Sequence, residues 1–187
     1  FLFRIFVRVR VGYQGITTWK LLFRNQTCGE NKFMKAVYIE EHGGPEVLKY
    51  GERPEPIIGS DHVKVRVQAS SLNRLDLYTR AGGRGLKRDF PPPLILGGDC
   101  SGDVIEVGDH VDQLSVGDRV VVNPRLSCNM CSACISGRDD LCSRSTFMGS
   151  AVDGSYAEVV SVPAVNAHRI SHDVTYDQAA AVPTTFL

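Results

Sequence analysis

No stretch of this 187-residue chain is apolar for long enough to form a membrane-spanning helix. Neither sign of charge dominates, since 21 Lys and Arg face 21 Asp and Glu. A polyelectrolyte surface for nucleic acid is therefore not expected. Repeats and low-complexity tracts are absent as well. So is the G-x-G-x-x-G turn that cradles a dinucleotide between a strand and a helix. Gly83 and Gly85 lead to Arg88 where the third glycine belongs, and Gly97-Gly98 reaches Gly102 at the wrong spacing. No signal peptide opens the chain, and the expected location is the cytoplasm. What remains is an ordinary globular composition, enough for about one domain with a real core.

Cysteine is unevenly spread. Cys128, Cys131, Cys134 and Cys142 form C-x2-C-x2-C-x7-C, whereas Cys28 and Cys100 stand alone. Four thiolates complete a tetrahedral shell for Zn²⁺, and short C-x2-C steps let successive ligands curl round one ion. A closed shell of this kind is structural, because it leaves no coordination position for a reactant. Paired disulfides and an iron–sulfur or redox site are the competing readings. The residues between the ligands, Asn129, Met130, Ser132 and Ala133, carry no positive charge, which argues against a nucleic-acid finger.

Charge is uneven too. Residues 1–33 hold Arg4, Arg8, Arg10, Lys20, Arg24 and Lys32 against Glu30 alone, which leaves residues 34–187 with 15 basic and 20 acidic residues. We read residues 1–33 as a non-native or read-through leader, with an organelle transit peptide as the alternative. Phe3–Val11 alternates apolar residues with Arg, a strand-like rather than amphipathic-helical pattern. The Asn25-Gln26-Thr27 sequon is of a kind that arises by chance.

From Met34 the pattern is mainly β. Strands are predicted at Met34–Ile39, around Val63, Val65 and Val67, and at Asp103–Val107, Arg119–Val122 and Tyr156–Val162. Short helices are predicted over Asn73–Arg80, ended by Ala81-Gly82-Gly83, and over Tyr176–Ala181 behind a Thr175/Gln178 capping box. The expected fold is a β-rich barrel, residues 34–165, with a cysteine lobe at 124–146 inserted between strands.

The ordered motifs resemble the N-terminal, GroES-like domain of the medium-chain dehydrogenase/reductase superfamily, which includes zinc-type alcohol dehydrogenases and quinone oxidoreductases. They are His42–Leu48, Ser71–Tyr78, Leu96–Val104, Val116–Val120, the cysteine lobe, Asp153–Glu158 and Ala179–Thr185. The resemblance implies one structural zinc on the four cysteines. Zinc-dependent members carry Cys where Asn73 stands, a His-Glu pair where Gly98-Asp99 stands, and a third ligand near Thr184. Asn73 and Gly98 depart from that set, which makes a catalytic zinc unexpected.

Asn73, Asp76 and Tyr78 instead match the Asn-x-x-Asp-x-Tyr of the quinone oxidoreductases, and are the candidate catalytic residues. The resemblance implies hydride transfer from NADPH or NADH to a small carbonyl, enone or quinone substrate. Thr184 is the candidate cofactor contact. The bland alternative makes Asn73 a helix cap, Asp76 a first-turn acid and Tyr78 a partly buried ring. Residues 166–187 would begin the connection to the family's Rossmann domain, so the chain is expected to be the inactive substrate half of an enzyme. The complete form would be a homodimer or homotetramer. A zinc-dependent alcohol dehydrogenase and a non-catalytic zinc-binding barrel are the competing functions.

Overall fold

The computed structural model describes residues 32–90 and 92–186. The strand-like Phe3–Val11 segment, the sequon, Cys28 and most of the basic leader lie outside them. Residues 31–187 form one compact unit, described here by itself.

Valine alternation builds the main sheet. Strands β3 (His62–Ser70), β5 (Cys100–Val107) and β6 (Arg119–Val122) lie centrally, flanked by β9 (Val159–Pro163) and β10 (Ala167–Arg169). All pairs are antiparallel, in the order β10-β6-β5-β3-β9. Val63 and Val65 of β3, and Val120 and Val122 of β6, bury their side chains completely. With Val104, Val160, Val162, Leu114, Cys100 and Met148 they form the largest core cluster. The period-two spacing thus sets which face is buried, as expected for a sheet with one wet side.

A second sheet, in the order β2-β1-β4, comprises β2 (Lys49–Pro54), β1 (Phe33–Ile39) and β4 (Leu94–Ile95). Residues 156–158, expected as the start of a strand running to Val162, join this smaller sheet instead. Tyr156 N–H donates to the Leu96 carbonyl at 2.9 Å, and the Tyr156 carbonyl accepts from Val37 N–H at 2.7 Å. The chain therefore passes from one sheet to the other here, and β9 begins only at Val159. The sheets curl into a half-barrel. Strand β5 begins at Cys100, three residues earlier than the valine pattern predicts.

The lobe leaves the barrel through a two-stranded neck, β7 (Arg125–Leu126) paired with β8 (Thr146–Phe147). Helix α1 (Arg74–Ala81) follows β3 and ends at Gly82, whose φ of +69° is the left-handed cap that glycine adopts freely. Short helices α2 (Ser132–Ile135), α3 (Tyr176–Ala180) and α4 (Pro183–Phe186) complete the unit. The Thr175/Gln178 capping box is formed at the start of α3. Among the described residues no helix is long and apolar enough to cross a membrane.

Gly102 of β5 lies tight against β3, beside an irregularity in the β3–β5 register. A β-carbon there would lie 2.0 Å from the Arg66 carbonyl oxygen. Gly102→Ala should therefore destabilise the domain by about 1–3 kcal/mol, as overpacking does. Urea denaturation checks it, and wild-type stability would show that the sheet gives way without cost.

Candidate functional site

The four lobe cysteines converge. Their sulfur atoms all lie within 4.8 Å of one another, with Cys131 Sγ 3.4 Å and Cys128 Sγ 3.8 Å from Cys134 Sγ. Asn129 takes a φ of +57°, which turns the chain between the first two ligands. Cys131 caps α2, and a turn over Asp139–Leu141 delivers Cys142. Backbone N–H groups of Met130 and Cys131 point at Cys128 and, with further hydrogen bonds, draw its pKa down to about 6 despite desolvation. Cys134 goes the other way, up to about 12, through desolvation and the neighbouring Cys131 and Cys142 sulfurs. Sulfurs this close cannot all ionise without a cation, and the soft, four-thiolate donor set fits zinc.

The lobe has little else to hold it. Of its larger apolar residues, Met130, Ile135 and Leu141 are 68%, 76% and 60% exposed. Cys100, by contrast, is fully buried in the barrel, its thiol pushed up to about 12 by desolvation and then by Asp99, and is inert packing.

The second site centres on Asp99, which has no solvent exposure at all. Its Oδ2 accepts from Asn73 Nδ2 at 3.0 Å, Thr184 N–H at 3.1 Å and Ser71 Oγ at 3.2 Å. Its Oδ1 accepts from Thr184 Oγ1 at 2.7 Å. Asn73 and Thr184, named from the sequence for separate roles, are thus brought together by a residue that was not named as a site residue. The available clue was a carboxylate in an otherwise buried run, Leu94–Ser101, where an acid needs partners. The Asn73 amide nitrogen is directed at both Asp99 Oδ2 and Ser71 Oγ, the latter at 3.3 Å.

Asp76 faces inward. It is buried, and its Oδ2 accepts from Asn73 N–H and from the Tyr156 hydroxyl, each at 2.8 Å. It is therefore the reciprocal half of the α1 cap. Burial raises its pKa, and the Asn73 and Tyr156 hydrogen bonds oppose that rise. Desolvation and the adjacent Asp76 push Tyr156 upward as well. Tyr78 lies apart from this network. Its hydroxyl has no hydrogen-bond partner among the described residues, and the Arg84 guanidinium sits 4.6 Å from its ring centroid.

Residues 59–172 match the alcohol dehydrogenase GroES-like domain. The chain belongs to that family, within the medium-chain dehydrogenase/reductase superfamily. It is 34% identical to a sorbitol dehydrogenase of Bacillus subtilis (strain 168), over 72% of this chain and 38% of that protein. A crystal structure of an NAD-dependent alcohol dehydrogenase superposes with a TM-score of 0.78 at 42% identity, over 82% of this chain and 44% of the other. The quinone oxidoreductase of Coxiella burnetii superposes with a TM-score of 0.64 at 29% identity, over 83% and 42% respectively. The chain thus spans about two fifths of the length of these relatives.

Two expectations follow. Metal analysis should find zinc at the lobe, and stripping it with a chelator should cost on the order of 3 kcal/mol or more, roughly 6–12 °C in Tm for a domain of this size. Cys142→Ser should already be destabilised and insensitive to the chelator; an unchanged Tm in both cases would remove the metal from the fold. Asp76 should titrate above the ordinary carboxylate range in carboxyl-carbon NMR, and Tyr156→Phe should raise it further by removing a donor. Because the shift is upward, its contribution to stability is full below the ordinary carboxylate pKa and is lost as the pH rises through the raised one.

Proposed function

We propose that this chain is the substrate-side part of an NAD(P)-dependent oxidoreductase of the quinone or enone reductase kind, with a structural zinc and no catalytic one. The observation that carries this is the Asp99 network. Where zinc-dependent members present ligands, this chain presents N–H and O–H donors aimed at a carboxylate. A cation there would meet the positive ends of those dipoles, and Asn73 offers it no thiolate. Space is not the obstacle at Gly98. A β-carbon there would make only ordinary contacts, with Pro124 Cβ at 3.5 Å and the Met148 carbonyl at 3.8 Å. What is missing is donor chemistry.

Nicotinamide, when bound through the remainder of the enzyme, supplies the hydride. Residues 166–187 are read as the start of the connection to that part, and a homodimer or homotetramer in the cytoplasm as its complete form. Reduction of an activated alkene places hydride on the β-carbon and builds enolate charge on the carbonyl oxygen. A hydrogen-bond donor at that oxygen lowers the barrier because it interacts more strongly with the enolate than with the ketone. Asn73 directs its amide nitrogen inward at Asp99 and Ser71, which suits it to positioning. Tyr78, with its hydroxyl uncommitted, takes the role. Asn73 and Thr184 become positioning groups, joined through Asp99, and Asp76 holds the start of the helix that carries Tyr78.

In the complete enzyme, Tyr78→Phe should lower kcat for an enone roughly 10²-fold with little change in KM. The complete enzyme should also carry one zinc per chain and keep its activity when a weak chelator is present. A second, activity-linked zinc would return the assignment to the zinc-dependent alcohol dehydrogenases, and Tyr78→Phe kinetics equal to wild type would remove Tyr78 from the mechanism.

A further inference from the structure

A cluster of positive charge lies next to Tyr78. Between Arg74 and Asp89 the chain carries five basic residues, Arg74, Arg80, Arg84, Lys87 and Arg88, against Asp76 and Asp89, in a body that is otherwise acidic. Asp76 is buried beneath Tyr156 and does not neutralise them. None of the five makes an ion pair among the described residues.

The loop that follows α1 has defined anchors. Gly83 N–H donates to the Tyr78 carbonyl and Leu86 N–H to the Gly83 carbonyl, both at 3.0 Å. His42 ties the two ends together: its Nδ1 donates to the Thr79 carbonyl at 2.9 Å, and its Nε2 accepts from Arg88 N–H at 2.9 Å. Arg88 stacks over Phe90, and Arg80 Nε donates to the Gly43 carbonyl.

Arg84 differs from these. Its φ of +52° is a conformation that glycine takes freely and a β-carbon penalises, yet the chain places arginine there with Gly83 and Gly85 on either side. Strain of this sort gathers at ligand contacts. Its result is a guanidinium held over the Tyr78 ring. The guanidinium makes no hydrogen bond or ion pair among the described residues, so its N–H groups are available to a carboxylate.

We propose that Arg84, stacked on Tyr78, is the anion-binding element of a substrate subsite, and that the substrate carries a carboxylate a few atoms from the carbonyl that Tyr78 polarises. The inference rests on the enone reading of the Tyr78 face. It adds a charge requirement that the reading does not contain: a 4-oxo-2-enoate is preferred over its neutral ester.

The test uses the 187-residue chain, ¹⁵N-labelled, with 4-oxo-2-pentenoate, its methyl ester and the saturated 4-oxopentanoate as probes. Both acids should shift the amides of Tyr78 and Gly83–Gly85, and should bind about tenfold or more tightly than the ester. That preference should weaken in high salt. Arg84→Gly should abolish it without lowering Tm, because glycine relieves the backbone strain, and Arg84→Lys should retain part of it. Equal affinity for acid and ester, no shift with either acid, or an undiminished preference in Arg84→Gly each overturns the subsite. Equal affinity of acid and ester, with enone turnover by the complete enzyme, leaves the enone reading standing. Tight, Arg84-dependent binding of both acids without enone turnover overturns the enone reading and leaves the subsite.

Discussion

The buried carboxylate of Asp99 is the constraint on which the candidate site depends. An acid with no solvent exposure is tolerated only when its lone pairs are taken up, and here they are taken up by four donors from two other segments of the chain. Ser71 and Asn73 lie at the end of β3 and the start of α1, Asp99 at the start of β5, and Thr184 in α4. Each donor offsets part of the acid's desolvation penalty, so the three segments are held relative to one another. The position of α1, and with it Tyr78, follows from this arrangement. Asp76 and Tyr156 supply a second brace from the smaller sheet, through the hydroxyl that Asp76 accepts.

The cysteine lobe is stabilised in a different way. The barrel buries valines in alternate positions from β3, β5, β6 and β9, so its stability is mainly hydrophobic and spread over many side chains. The lobe buries almost nothing apolar, and its two-stranded neck is too short to be stable by itself. In the folded lobe, backbone N–H groups directed at Cys128 favour its thiolate form. A metal on the four thiolates would therefore couple its binding to the folding of the lobe.

Much of this was legible in the sequence, for physical reasons that differ between elements. Valine alternation exposes burial directly, and β6 lies where it was expected because both of its fully buried residues obey the two-residue period. The glycine at 82 and the Thr175/Gln178 pair are local signals, and both helix ends follow them. Residues 156–158 show where the local signal stops. Tyr156-Ala157-Glu158 has strand character, but which sheet it joins depends on Leu96 and Val37, far away in the chain. The direction of the Asn73 side chain was hidden in the same way. A cap and a site residue share one residue type, and only the buried Asp99 decides between them. Asp76 reads as a member of a catalytic motif in sequence, and the fold uses it as the other half of a helix cap.

The framework also shows how one family scaffold can serve different chemistry without a change of fold. A metal site needs ligands with free lone pairs around an empty centre. A hydrogen-bond network needs donors and an acceptor filling that centre themselves. On the proposed reading, Asn73 in place of a thiolate and Gly98 in place of a ring nitrogen leave the second, with Asp99, where those members carry Glu, as its acceptor. The electrophilic work then has to move to a group outside the network. On the proposed reading that group is Tyr78, whose hydroxyl has no partner among the described residues and whose ring lies beneath Arg84, a cation at a φ of +52°. The proposed anion site then sets a positive charge beside Tyr78 as Arg84, where it would hold a substrate and would not acidify one.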